Sequence, residues 1–267
     1  MAILPKADKE LGQHFLRDQN VITKITEDYK DVADVIIEVG PGPAILSQHL
    51  VKYDLPFYFI EKDIRFSEQL DPIVPEENRI YADAVKFNWP EFIKQHDLQD
   101  KKIWLVSNLP YNVSSPLFFS FVQVPQIKYM TLMFQKEVGE KTYNREHQKN
   151  QMSSILSIAL NFFETKQLIK VSPGAFTPPP KVDSVVVSYS RHENPVVPLS
   201  EYKKYETFLR STFQQRRKQI GSVLRSAVPK EKKDDFFKNA DVLPTLRAEA
   251  LKLEQIYALY KSFKDIQ

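Results

Sequence analysis

Short apolar runs alternate with segments of helical hydrophobic spacing over the first 190 residues. Apolar runs bounded by turn-forming residues are typical of buried strands, and apolar positions three or four apart are typical of amphipathic helices. Their alternation predicts an α/β fold with a mainly parallel sheet. The predicted strands are 35–39, 57–60, 79–81, 103–106, 130–134, 167–171 and 182–189, and the predicted helices are 21–29, 44–53, 64–70, 116–122 and 151–163.

The pattern changes after residue 190. A proline-rich loop without a helix joins the last two predicted strands, so we expect them to form an antiparallel hairpin at one side of the sheet. Beyond a proline-bearing linker the spacing is almost wholly helical, with predicted helices at 205–227, 230–239 and 247–263. We therefore predict an α/β domain of residues 1–192 and a small all-helical domain of residues 193–267.

Composition excludes several kinds of site. The chain has no cysteine, and its five histidines (14, 49, 96, 147 and 192) form no ligand-spaced pair, so we expect no metal site. No run approaches the roughly 20 apolar residues of a membrane span, and the first residues are too charged for a signal peptide. We expect a cytoplasmic protein that does not associate with membranes.

Charge is unevenly distributed along the chain. The net charge is +3, but residues 191–267 hold 16 Lys and Arg against 10 Asp and Glu, whereas residues 1–190 hold 21 against 24. A basic end on a near-neutral body favours a polyanionic partner, although a solvated basic helix face would give the same count.

Polar or glycine residues follow four successive predicted strands. Gly40 and Gly42 follow the first, Glu61 the second, Asp83 the third and Asn108 the fourth. Ligands of open α/β sheets bind at the carboxyl ends of strands, where glycines admit a close ligand and an acid can accept both ribose hydroxyls. A lone acid after a strand is often only a helix cap. Together, the residues after these four strands predict a nucleoside-like cofactor lying across the strand ends.

The turn Asn108-Leu109-Pro110-Tyr111 directly follows a strongly apolar strand. Pro110 ends the strand and holds Leu109 extended, so the Asn108 amide oxygen and the Leu109 carbonyl can point the same way. Two adjacent acceptors suit an NH2 group, and the ring of Tyr111 suits stacking on a base. The alternative is an ordinary turn at a strand end.

A second aromatic candidate is Phe176, in a loop stiffened by prolines at 178, 179 and 180. A rigidly held ring could sandwich an unstacked base against Tyr111, as base-modifying enzymes require. A hydrophobic plug is an equally good interpretation of this residue.

Several motifs together resemble those of the ribosomal RNA adenine N6,N6-dimethyltransferase family, and within it the small-subunit branch of the kasugamycin-resistance type. The resemblance covers almost the whole chain. Its motifs here are GQHFLRDQNVI, IEVGPGPAILS, FIEKD, SNLPYNVSSPL, PGAFTPPPKVDS, FQQRRKQIGSVL and PTLRAEALKLEQ.

The resemblance implies a class I, Rossmann-like methyltransferase sheet of seven strands, with residues 1–192 as the catalytic domain and residues 193–267 binding RNA. It implies an enzyme that uses S-adenosyl-L-methionine to dimethylate two adjacent adenosines in the hairpin loop near the 3′ end of small-subunit (16S) ribosomal RNA. A role in small-subunit biogenesis and a monomeric state are also implied.

Residue by residue, the resemblance implies four groups of site residues. His14, Leu16, Gly40 and Gly42 would contact the cofactor, Glu61 its ribose and Asp83 its adenine. Asn108, which also borders the cofactor, Leu109 and Pro110 would form the target-amine turn, and Tyr111 and Phe176 would stack on the target base. The RNA phosphates would be bound by Arg216, Arg217 and Lys218.

The chain departs from the family pattern at three places. His14 stands where many members have Asn, Ala44 where Gly is frequent, and Asn150-Gln151-Met152-Ser153 where Gly-x-Leu-Ser is usual. Three alternatives stay open: the same chemistry on large-subunit RNA, an assembly factor that has lost catalysis, and an unrelated nucleotide-binding protein.

Overall fold

The computed structural model describes residues 5, 8, 12–145, 148–149, 151–215, 217–225 and 228–266. Nine strands and eleven α-helices are found in these ranges. The strands are β1 (Phe15–Leu16), β2 (Val35–Val39), β3 (Phe57–Glu61), β4 (Arg79–Tyr81), β5 (Ile103–Asn108), β6 (Ile127–Gln135), β7 (Phe163–Val171), β8 (Phe176–Thr177) and β9 (Ser184–Arg191). The helices are α1 (Gln19–Thr26), α2 (Ser47–Leu50), α3 (Ser67–Leu70), α4 (Trp89–Gln95), α5 (Ser114–Val122), α6 (Lys136–Gly139), α7 (Ser154–Phe162), α8 (Tyr202–Phe213), α9 (Ile220–Val223), α10 (Lys233–Asn239) and α11 (Leu253–Lys264).

Seven of the strands form one sheet in the order β4-β3-β2-β5-β6-β9-β7. The pairs from β4 to β6 are parallel, and β9 runs antiparallel to β6. The chain moves outward from β2 to β4 and then crosses to β5 on the other side of β2. This reversal leaves a crevice at the carboxyl ends of β2 and β5, where such sheets bind ligands. The predicted seven-stranded α/β sheet is confirmed.

The central strands are buried because most of their residues are apolar on both faces. Every residue of β2 and β3 is buried, as are the first five of β5. Ile36, Phe59 and Trp104 share one apolar cluster with Val21 and Ile25 of α1. Burial of each such side chain stabilises the folded state by roughly 1.5–3 kcal/mol. The sheet is therefore a rigid support for the crevice.

Several local features differ from the sequence prediction. The predicted helix 44–53 shortens to α2, because residues 40–44 form a turn in which Gly40, Gly42 and Ala44 all have positive φ. Helix α4 was not predicted; Asn88 caps it and Pro90 lies in its first turn. The two-stranded pair β1–β8 was also missed, since two-residue strands leave no periodic signal.

Contacts between Cα atoms divide the chain into two compact units. The first comprises residues up to 140 and 165–191, and the second comprises residues 141–164 and 192–267. The second unit thus includes α7, which the predicted boundary after residue 192 assigns to the first domain. Asn161 of α7 is one contact within this unit, because its buried amide both donates to the Val197 carbonyl and accepts from the Val197 N–H, each at 2.9 Å.

The predicted continuous helix 205–227 is wrong. Helix α8 ends at Phe213, and the chain turns before α9 begins at Ile220. The Ile220 N–H donates to the Leu246 carbonyl at 2.7 Å, and the Gly221 N–H donates to the Pro244 carbonyl at 2.9 Å. These two N–H groups are therefore bonded to a segment more than 20 residues away in sequence and not to the preceding helical turn. Helix propensity within residues 205–227 contains no information about that segment.

None of the helices in the described ranges combines the length and apolar character that crossing a bilayer requires.

We predict that Gly221→Ala destabilises the protein. A Cβ atom at Gly221 would lie 2.7 Å from the Pro244 Cβ and 3.0 Å from the Pro244 carbonyl oxygen, and such overpacking costs about 1–3 kcal/mol. Thermal unfolding should therefore show a lower midpoint for Gly221→Ala than for the control Ser222→Ala, whose residue is exposed. Equal midpoints would show that Gly221 and Pro244 do not pack this closely.

Candidate active site

The structure gathers the predicted strand-end residues around one cleft. Its lining includes Gly40 after β2, Glu61 at the end of β3, Asp83 after β4 and Asn108 at the end of β5. The N-terminal segment before α1 closes another side. Other predicted residues that line this cleft are His14, Leu16, Gly42, Leu109, Pro110 and Tyr111.

The glycine turn after β2 shapes the floor of the cleft. Gly40 has φ +68° and Gly42 has φ +54°, values that glycine adopts without steric cost. A Cβ atom on Gly40 would have no neighbour within 4 Å and would occupy space open to a ligand. Ala44, which is buried, also has positive φ at +63°. A residue with a Cβ atom pays roughly 1–2 kcal/mol for this conformation, so the Ala-for-Gly departure carries local strain.

Glu61 is held rigidly by the backbone. Its Oε2 accepts from the Gly42 N–H at 2.9 Å, its Oε1 accepts from the Asp63 N–H at 2.7 Å, and the residue is 6% exposed. Burial raises the pKa of Glu61, and the backbone hydrogen bonds oppose that rise. Each carboxylate oxygen has a second lone pair, so the group can still accept hydrogen bonds from two neighbouring hydroxyls.

Asp83 lies at the rim and has a cationic neighbour that the sequence analysis missed. Its Oδ1 accepts from the Val85 N–H at 3.0 Å, and its Oδ2 accepts from Lys62 Nζ at 3.0 Å. The hydrogen bond from Lys62 lowers the pKa of Asp83. The Lys62 side chain is 60% exposed, so the ion pair is weak and its lysine can give way to another donor.

Asn108 extends the ladder of β5 and has a defined side-chain orientation. It lies opposite Met133 in β6, and the Leu109 N–H then donates to the Met133 carbonyl at 3.2 Å. The Asn108 Nδ2 donates to the His14 backbone carbonyl at 3.1 Å. Because a carbonyl can only accept, this bond assigns the nitrogen to His14 and leaves Oδ1 as an acceptor on the other side.

Tyr111 is held at its hydroxyl and beside its ring. The hydroxyl shares a 2.7 Å hydrogen bond with the Ser184 hydroxyl, and the ring centroid lies 5.5 Å from that of His14 at an interplanar angle of 30°. Burial raises the pKa of Tyr111, so the phenol is neutral near pH 7. A neutral, fixed ring at the cleft is suited to stacking.

Phe176 is not among the cleft-lining residues. It is 1% exposed, pairs with Leu16 across β1–β8 and packs in the main apolar cluster. Exposing such a ring would cost about 1.5–3 kcal/mol. In this structure the plug interpretation fits Phe176 better than the base-stacking one, for which the side chain would have to leave the core.

Two of the predicted phosphate-binding residues lie between α8 and α9. Arg217 and Lys218 are exposed and belong to the turn there, not to the basic helix that the sequence indicated. Arg216 lies outside the described residues.

Glu38 forms part of the cleft floor in an unexpected protonation state. It is 1% exposed, and its Oε2 accepts from the Ser47 hydroxyl at 2.6 Å. Burial, and to a smaller extent the nearby Glu61, raise the pKa of Glu38 to about 8. Near pH 7 its neutral form therefore predominates.

Among the described residues, no group of three His, Asp or Glu side chains is arranged to hold a metal ion.

Two solved structures share this fold. A dimethyladenosine transferase from Plasmodium falciparum superposes with a TM-score of 0.76 at 23% identity, covering 94% of this chain and 98% of that one. The 23S rRNA methyltransferase ErmE superposes with a TM-score of 0.68 at 22% identity, covering 94% and 99%. The sheet order and the cleft at its switch point therefore define a Rossmann-like methyltransferase fold.

Sequence comparison identifies the family. The family model for ribosomal RNA adenine dimethylase matches residues 5–265. Proteins named ribosomal RNA small subunit methyltransferase A are 34% identical in Clostridium botulinum strain Okra, covering 98% of this chain and 95% of the relative, and 31% identical in Malacoplasma penetrans, covering 97% and 93%. The chain belongs to the ribosomal RNA adenine dimethylase family, whose methyl donor is S-adenosylmethionine.

We predict that Glu38→Gln changes how stability depends on pH. A folded pKa of about 8 against an ordinary value of 4.5 means that the native state retains this proton more strongly. The group's stabilising contribution is therefore fully present below pH 4.5 and is lost as pH rises through about 8, by up to ~1.4 kcal/mol per pH unit.

Glutamine at this position does not titrate. The stability of the variant minus that of wild type should therefore increase as pH rises from about 5 to about 8.5. Thermal unfolding across this range measures the difference, with the exposed Glu68→Gln as control. Parallel pH profiles for Glu38→Gln and wild type would contradict the proposed protonation state.

Proposed function

We propose that this protein transfers methyl groups from S-adenosyl-L-methionine to the N6 amine of adenine in small-subunit ribosomal RNA, giving N6,N6-dimethyladenosine. The observation that carries the proposal is the Asn108 amide, whose nitrogen is bonded to the His14 carbonyl and whose oxygen is left as an acceptor, in a chain of the ribosomal RNA adenine dimethylase family. The names of the relatives support the small subunit as substrate.

The residues of the cleft fit the proposed cofactor. Glu61 offers two fixed acceptors for the ribose hydroxyls, and Asp83 offers an acceptor at the rim for the adenine amine once Lys62 yields. Gly40 leaves space for close approach, while His14 and Leu16 border the same cleft. When bound, S-adenosylmethionine supplies a methyl group activated by its sulfonium sulfur.

Asn108 and Leu109 would orient the target amine. The amide oxygen and the Leu109 carbonyl each accept one amine hydrogen, which favours a pyramidal nitrogen and localises its lone pair toward the methyl group. Tyr111 would stack on the base and fix its plane. This is catalysis by positioning and electrostatics, and the proton of the product leaves to solvent without a dedicated base.

The RNA would be bound in part by basic residues of the C-terminal region. Arg217 and Lys218 are exposed, and with Arg216 they form a short basic run suited to phosphates. Such contacts position RNA without selecting sequence. The finer target, two adjacent adenosines in the hairpin loop near the 3′ end of 16S RNA, is proposed from the sequence resemblance. A role in subunit biogenesis, the cytoplasmic location and the monomeric state stay predictions of the same origin.

We expect the protein to methylate small subunits that lack this modification. Labelled S-adenosylmethionine is incubated with such subunits, and the RNA is digested and separated into nucleosides. Label recovered as N6,N6-dimethyladenosine from a 3′-terminal fragment is the expected result. Label only in large-subunit RNA would move the target to the other subunit, and tight subunit binding without label would indicate an assembly factor.

We also predict that Asn108→Ala loses most methyl transfer while retaining cofactor binding. Removing a preorganised hydrogen-bonding group from an active site slows catalysis by roughly 100-fold or more. The rate at saturating cofactor and the cofactor Kd are measured separately, with Asn20→Ala, an exposed asparagine of α1, as control. A wild-type rate in Asn108→Ala would refute the role given to this amide.

A further inference from the structure

His14 contacts three separate parts of the proposed target site. Its backbone carbonyl accepts from Asn108 Nδ2 at 3.1 Å. Its ring lies beside that of Tyr111. Its Nδ1 is 2.8 Å from the Pro178 carbonyl, in the proline-rich loop that follows β8. One residue thus connects the amide, the aromatic ring and this loop.

The bond to Asn108 determines which atom of the amide is free. A rotation of about 180° around the last side-chain bond would exchange the amide oxygen and nitrogen, and both rotamers are otherwise accessible. In the exchanged rotamer the oxygen would face the His14 carbonyl, so two acceptors would oppose each other. The His14 carbonyl therefore selects the rotamer that presents an acceptor and not a donor to an amine.

The position of that carbonyl depends in turn on the His14 side chain. Phe15 pairs with Thr177 in the β1–β8 ladder, so His14 lies opposite Pro178 at the end of the ladder. The ladder has only two residue pairs, and the Nδ1 bond to the Pro178 carbonyl extends it by one more contact next to Asn108. Since the Pro178 carbonyl can only accept, His14 Nδ1 carries a proton.

The geometry points to His14 as a positioning residue for the target amine: its Nδ1 bond to Pro178 holds the backbone carbonyl that orients the Asn108 amide. This inference rests on the proposed function. Asparagine could replace this donor, because Asn Nδ2 and His Nδ1 are both attached to Cγ and can donate from the same place.

Three substitutions separate this role from a cofactor contact. His14→Ala removes the donor, His14→Asn keeps a donor on Cγ, and His14→Gln carries the same amide one carbon further out. Each full-length variant is assayed for the single-turnover rate on unmodified small subunits at saturating S-adenosylmethionine, for the Kd of S-adenosylmethionine by calorimetry, and for its thermal midpoint.

The expected result is a rate about tenfold lower for His14→Ala and His14→Gln, corresponding to ~1.4 kcal/mol in the barrier, with most of the rate retained in His14→Asn. In an Asn108→Ala background, His14→Ala should cause no further loss, because no amide is left to orient. If His14→Ala does not fold, the comparison of Asn with Gln still decides, since these two differ only in where the donor lies.

A second readout does not depend on activity. The ¹⁵N spectrum of histidine-labelled protein in alkaline buffer should show the His14 ring protonated at Nδ1, with the signal identified by its loss in His14→Asn among the five histidines. A neutral ring protonated only at Nε2 would overturn the inference. So would a higher cofactor Kd in His14→Ala with an unchanged rate at saturation, or equal rates in the Asn and Gln variants. Absence of methyl transfer by wild type would instead count against the proposed function.

Discussion

The hydrogen bond between the Asn108 amide and the His14 carbonyl joins residues 94 positions apart in the chain, and the chemistry proposed for the cleft depends on it. The sheet holds the Asn108 backbone, because β5 pairs with β6 up to this residue, but the sheet leaves the side-chain amide free to rotate. Only a partner that accepts and never donates removes that freedom. The N-terminal segment provides this partner, so in the proposed mechanism it belongs to the target site as well as to the wall of the cleft.

Burial and neighbouring cations set opposite protonation preferences in the carboxyl groups of this cleft. Glu38 is the most buried of them and favours its neutral form, because the loss of solvation on burial outweighs the hydrogen bond from Ser47. At the rim, the hydrogen bond from Lys62 lowers the pKa of Asp83. Negative charge is thus kept at the edge of the cleft, where an amine or hydroxyl of a nucleoside could meet it, and a neutral Glu38 adds no repulsion to Glu61 beside it.

Tyr111 and Phe176, the two aromatic residues predicted to stack on one base, have different environments. The hydroxyl of Tyr111 bonds Ser184 and its ring remains at the cleft, whereas Phe176 is part of the core below β1–β8. A stacking role for Tyr111 would require no rearrangement, whereas one for Phe176 would require exposure of a buried ring. The proline-rich loop has another contact in this structure, since its Pro178 carbonyl holds His14.

Much of the fold and of the cleft was determined by the sequence alone. Apolar runs such as 35–39 are typical of central strands, and the connections between parallel strands bring Gly40, Glu61, Asp83 and Asn108 to one edge of the sheet. Periodicity, glycine and proline carry this information locally, without reference to the rest of the chain.

Tertiary structure decided what depends on residues far apart in sequence. The orientation of the Asn108 amide needs His14, the ion pair of Asp83 needs Lys62, and the break in the predicted helix 205–227 needs Pro244 and Leu246. The burial of Phe176 and the protonation of Glu38 likewise follow from how closely other elements pack around them. Local sequence contains the donors, acceptors and rings, but solvent exclusion and partner geometry exist only once the chain is folded.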